Sequence, residues 1–187
     1  MDSRDKLIEL CNSKFLELGV LLGELKGVQD KGRLFDFGEG LVPAHQHPNG
    51  EGWVANTATV AASAYVGPSA RVYGTARVYG TARVYGTALV YGTALVYGTA
   101  LVYGNTRVYG TAQVSGTAQV SGNALVYDYA QVYGTAQVYG TARVSGNALV
   151  YGNAWVYGNA KVYGNAQVYD YARVYGDHTL SGDSKCM

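Results

Sequence analysis

From Val54 onward, valine returns at every sixth residue through Val174 without a slip, 21 times in succession. Alanine stands two residues before each valine from Ala58 to Ala172, with Thr106 the one exception. Glycine usually stands two residues after it, followed by Thr or Asn. The unit is thus Ala-x-Val-Tyr-Gly-Thr/Asn, as in Ala76-Arg77-Val78-Tyr79-Gly80-Thr81. Within it Ala and Val point one way and x and Tyr the other, which is the two-residue period of a short strand. Gly followed by Thr or Asn supplies a bend, because Gly and Asn accept positive φ. Neither an α-helix nor a flat antiparallel sheet explains a six-residue period held this long. Tandem strand-and-corner units predict a parallel β-helix, with Val and Ala inside and Tyr outside.

Composition closes other routes. Only 14% of the 187 residues are charged while 48% are hydrophobic, the opposite of a disordered chain. Three prolines without a Gly-X-Y period exclude collagen. Two cysteines, Cys11 and Cys186, cannot build a disulfide framework.

The hexads resemble the hexapeptide-repeat, left-handed parallel β-helix family. In their near-perfect form they are similar to the Val-Tyr-Gly-Asn-Ala repeat proteins of phages and bacteria. The resemblance spans residues 54–180 and implies three hexads per triangular coil, left-handed winding and about seven coils. At one strand spacing per coil the prism would be about 34 Å long. The expected fold is an all-β solenoid preceded by an amphipathic α-helix.

That helix is expected within residues 1–30. Leu7, Leu10, Cys11, Leu18, Leu21, Leu22 and Leu25 recur at helical spacing, with Ser3 as a cap and Gly27 as a stop. Asp2 and Asp5 at the start, and Glu17 and Glu24 inside the apolar run, argue against a signal peptide or a membrane span. The stripe needs a partner: it folds back over the chain or pairs with copies of itself. Leu7, Cys11, Leu18, Leu21 and Leu25 are the candidate oligomerisation residues. Residues 31–53 read as a linker or N-terminal cap, and 181–187 as a short frayed tail. His178 replaces the inward Ala and Leu180 the Val, so the last coil reads as a cap.

Taking every eighteenth residue sorts the outward side chains onto three faces. The first carries Arg71, Tyr73, Tyr91, Arg107, Tyr109, Tyr127, Arg143, Lys161 and Tyr163; the third carries Tyr139, Trp155, Tyr157, Arg173 and Tyr175. Ser115, Ser121 and Ser145 interrupt the tyrosine columns. Tyrosine forms strands well and stacks at the coil spacing, shielding the backbone. It is also a favoured residue at binding surfaces, so these residues are the candidate binding set. Residues 54–176 hold seven basic and two acidic residues, against six and nine in residues 1–53. A basic prism and an acidic end could attract each other or a neighbouring copy.

Catalytic chemistry finds little support. The acyltransferases of the resembled family use a His general base near an inserted loop and a cleft between subunits. Here residues 54–176 contain no His and no insertion, leaving His45 and His178 as the bases an acyltransferase would need. His45 and His47, two residues apart, would share one side of a strand, but no third metal ligand is evident nearby. No Ser-His-Asp set, paired carboxylates or phosphate loop stands out, and neither cofactor nor metal is expected. Arg beside Tyr could stack bases, yet about one positive charge per coil is thin for a nucleic-acid surface. The expected protein is a non-enzymatic scaffold that self-associates and binds a protein partner through its tyrosine faces. The resemblance further implies a cytoplasmic, phage-encoded inhibitor of a host defence protein.

Overall fold

A computed structural model describes residues 33–187. The amphipathic segment and the five candidate oligomerisation residues lie outside them. The described chain is a parallel β-solenoid of about seven coils, built from two-residue strands on three sheets of ten, eight and seven strands. Each strand pairs with the one eighteen residues on, as in Arg71↔Leu89 and Val72↔Val90. One coil is therefore three hexads.

The physical reason is the inward pair of each unit. Ala and Val at the repeat positions from Ala64 to Val168 are fully buried, forming one continuous core column. Val completes each sheet face while the smaller Ala fits where the wall bends. Thr106 takes an Ala slot at 0% exposure and satisfies its hydroxyl by donating to the Tyr103 carbonyl at 3.2 Å. Corners close on glycine in the left-handed region. At Gly80, φ is +68° and a Cβ would lie 2.6 Å from the Gly98 carbonyl oxygen one coil on. Asp128 and Asp170 occupy the same corner position with φ of 59° and 54°. Threonines after the corner glycines donate to carbonyls of the next coil, as Thr93 Oγ1 does to Gly110 O at 2.9 Å.

The N-terminal end is built differently. Strand β1 (Leu34–Asp36) pairs antiparallel with β2 (Leu41–Gln46), and β2 pairs antiparallel with β3 (Trp53–Ala55), the first strand of the first sheet. The tight turn between β1 and β2 is held by Asp36 Oδ1, which accepts from the amides of Gly38 at 2.7 Å and Gly40 at 3.1 Å. Those two bonds hold the Asp36 carboxyl below its usual range. The following loop covers the edge of the third sheet: the Val66 amide donates to Asn49 O at 3.0 Å, and Gly52 donates to Val66 O at 2.9 Å. Among the described residues the second sheet ends at Thr59–Val60, where Val60 is half-buried.

One expectation at the other end is corrected. Residues 181–187 are not a frayed tail: Lys185–Cys186 forms a strand paired in parallel with Gln167–Val168. Cys186 falls on the valine register, twelve residues after Val174, and packs half-buried against the core. His178 takes the Ala position of the last coil and, like Thr106 in its coil, turns its side chain to the carbonyl three residues back. It is exposed, with Nδ1 2.6 Å from the Tyr175 carbonyl, because among the described residues no further coil closes over it.

Candidate interaction faces

Registered parallel pairing places identical outward positions directly above one another, one strand spacing apart. Rings in such a column are brought to stacking distance. On the first face Tyr73, Tyr91, Tyr109 and Tyr127 form a continuous ladder with centroids 4.8–5.0 Å apart and planes within 4°. The ladder extends onto the hairpin, where Phe37 stacks on Tyr73 at 5.0 Å. In the neighbouring column Phe35 stacks on Trp53 at 4.3 Å, and the Arg71 guanidinium lies 5.2 Å from the Phe35 ring centre.

Phe35, Phe37 and Trp53 belong to this face and were not in the expected binding set. The sequence signals are the two-residue spacing of Phe35 and Phe37, within a Gly- and Pro-rich stretch that reads as linker, and the place of Trp53 eighteen residues before Arg71 in the outward column.

Stacking leaves Tyr73, Tyr91, Tyr109 and Tyr127 half-buried. Partial burial, followed by the neighbouring Tyr91 and Glu39, pushes the Tyr73 phenol up to about 12. Burial likewise raises Tyr91 and Tyr109 on this face, and Tyr133 and Tyr139 on the other two. These phenols stay neutral and donating throughout the physiological range. The most exposed tyrosines are Tyr171 (80%) and Tyr129 (65%) at corners; on the faces, Tyr97 (38%) lies below Ser115, Tyr163 (43%) above Ser145, and Tyr175 (50%) on the last coil.

The third face is more broken. Tyr139 and Tyr157 stack at 4.9 Å, Tyr157 and Tyr175 at 5.4 Å, and Arg173 lies 4.8 Å from the Trp155 ring centre. The fourteen expected binding residues therefore fall on two separate sheets.

Charge distinguishes the faces. Arg71, Arg107, Arg143 and Lys161 share the outward column of the first face, whereas the second holds Arg77 and Lys185 and the third Arg83 and Arg173. No acidic residue occupies an outward position on the parallel strands; Asp36 and Glu39 of the hairpin lie near Arg71 and Tyr73. Asp128, Asp170, Asp177 and Asp183 all sit at corners.

The histidines do not assemble a centre. His45 Nδ1 lies 2.9 Å from Asn56 Oδ1, while His47 is buried with Nδ1 against the Asn49 backbone. His178 is on the last coil, at the opposite end of the solenoid. Among the described residues no three His, Cys, Asp or Glu side chains converge on a metal position, and no helix is long and apolar enough to cross a membrane.

A family model described as the YdcK beta solenoid repeat matches residues 118–134, 136–152 and 142–158. The first two matches start eighteen residues apart, one coil, and the third starts six further on, one hexad. No curated protein and no solved structure matches the chain. The chain is thus similar, in the middle of its solenoid, to a β-solenoid repeat family.

Proposed function

We propose that the protein is a non-enzymatic, left-handed β-solenoid scaffold that binds an acidic protein surface through its first face. One observation carries this reading. A five-ring aromatic ladder, Phe37 to Tyr127, runs beside a column containing Arg71 and Arg107, and the carboxylates near it, Glu39 and Asp128, sit in the hairpin turn and at a corner rather than on the parallel strands. A stiff row of ring edges with hydroxyls held neutral offers large amphipathic area at low entropic cost. Interleaved guanidiniums select an acidic partner and steer its approach.

Self-association through the stripe of Leu7, Cys11, Leu18, Leu21 and Leu25 belongs to the same proposal. So does action in the cytoplasm of an infected host as an inhibitor of a defence protein, which rests on the resemblance of the hexads to phage repeat proteins.

The test is affinity capture from host lysate with the wild type and a Tyr91→Ser, Tyr109→Ser variant. Serine already interrupts these ladders at three positions, so the variant keeps the fold. A partner that is lost with the variant, is acidic, and binds the purified protein directly supports the proposal. Retention of every partner overturns it. Light scattering of the wild type against Leu18→Lys, Leu21→Lys tests assembly, and an unchanged mass removes that part.

A further inference from the structure

The three serines that interrupt the tyrosine columns are not equivalent. Ser115 is flanked in the outward column by Gln113 and Gln131, and Ser121 by Gln119 and Gln137. Ser145 instead lies beside Arg143 and, one coil on, Lys161. Here the surface opens into a cleft of about 400 Å³ whose lining includes Tyr127, Asp128, Arg143, Ser145, Lys161 and Tyr163.

The cleft is a ladder with one ring removed. Tyr127 and Tyr163 stand two coils apart, about 9.6 Å by strand spacing. A planar ring at the Ser145 level would sit about 4.8 Å from each, within the range of stacked aromatic pairs. The Tyr127 ring already stacks on Tyr109 at 5.0 Å, so its free face is fixed parallel to the slot. Tyr163 is 43% exposed, and Ser145, at 9%, floors the gap.

The ends of the slot differ in sign. Two residues before Ser145 along the strand, about 6.6 Å away, the Arg143 and Lys161 column supplies two stacked cations. At the corner end stands Asp128, whose Oδ2 accepts the Gly146 amide at 3.2 Å. That bond aims the carboxylate at the slot's own level and leaves Oδ1 free to accept.

We propose that the gap at Ser145 is a mononucleotide site: the base inserts between Tyr127 and Tyr163, the phosphate meets Arg143 and Lys161, and N–H donors on the base face Asp128. Aromatic stacking on both faces is sequence-tolerant, and the carboxylate adds a preference for a base with a donor edge, such as guanine. The site needs no protein partner, and shares with the protein-binding reading only the Tyr127 end of the ladder, stacked on Tyr109.

The test is calorimetric titration of the full chain with guanosine 5′-monophosphate, beside guanosine, inorganic phosphate and phosphotyrosine. Saturable binding at one equivalent per chain is expected, weakened about tenfold or more without the phosphate. Ser145→Tyr completes the ladder, as tyrosine does in the coils below, and so keeps the fold and thermal midpoint. It should weaken binding at least about tenfold by occupying the stacking position. Arg143→Gln with Lys161→Gln should weaken the nucleotide but not guanosine. Unchanged binding by Ser145→Tyr overturns the proposal, as does no saturation in the millimolar range. Tighter binding of phosphotyrosine than of the nucleotide overturns its assignment to a base.

Discussion

Tyr73 and Tyr91 stack with ring centres 4.8 Å apart and planes 3° from parallel, although eighteen residues separate them in the chain. The contact exists because the coil is three hexads long and the sheet is parallel and in register, so like meets like at every level.

The alkaline limb of stability follows from this stack. The Tyr73 phenol rises from 10.0 to about 12 in the folded chain, mainly through burial. A raised folded value means that the stabilisation is complete below pH 10 and is lost as pH climbs from 10 to 12, where only the unfolded chain ionises freely. The expected result is late phenolate absorbance, with the most delayed groups titrating together with unfolding. Titration of all tyrosines near pH 10 with the fold intact would contradict it.

Corner glycines and corner aspartates should respond differently. Gly80→Ala places a Cβ 2.6 Å from Gly98 O at a φ of +68°. We expect a loss of about 1–3 kcal/mol for the strained corner. Asp128→Gly relieves about 1–2 kcal/mol of left-handed strain and forfeits one hydrogen bond of similar size, so stability changes by under about 1 kcal/mol. Chemical denaturation of both variants measures the contrast.

Core positions separate hydroxyl from volume. Thr106→Ala restores the residue found at every equivalent position from Ala58 to Ala172, and should shift stability by less than about 1 kcal/mol. Val120→Ala opens a cavity in a fully buried column and should cost about 1.5–3 kcal/mol. At this chain length each kcal/mol moves the thermal midpoint by about 2–4 °C. Equal shifts for the two variants would refute the argument.

The final strand offers a stabilising change. Cys186 occupies a valine register position and is half-buried against the core. Cys186→Val should raise the thermal midpoint by a few degrees, about 1 kcal/mol of added apolar contact. No change would show that the last strand is frayed in solution.

Much of this was legible beforehand because a strict repeat leaves little to arrange. The inward Ala and Val and the glycine corners each follow from a local rule repeated many times, and eighteen-residue register sorts the outward columns. The ends were harder. Phe35 and Phe37 precede the hexads, so no period marked them as part of the first face, whereas Trp53 stands in the outward column eighteen residues before Arg71. His178 and Cys186 occupy repeat positions with altered residues, and only the neighbouring coil decides whether such a position is covered.

The sequence by itself determined the solenoid, its core and the composition of each face, because one period governs both strand alternation and coil length. Only the tertiary structure decided that the N-terminal hairpin lengthens the aromatic ladder of the first face and that the tail continues the wall. It also decided that Ser145, unlike Ser115 and Ser121, opens a gap between a cation pair and a hydrogen-bonded carboxylate. Those outcomes depend on contacts across coils and on the corner geometry of single residues such as Asp128, neither of which a one-dimensional repeat records.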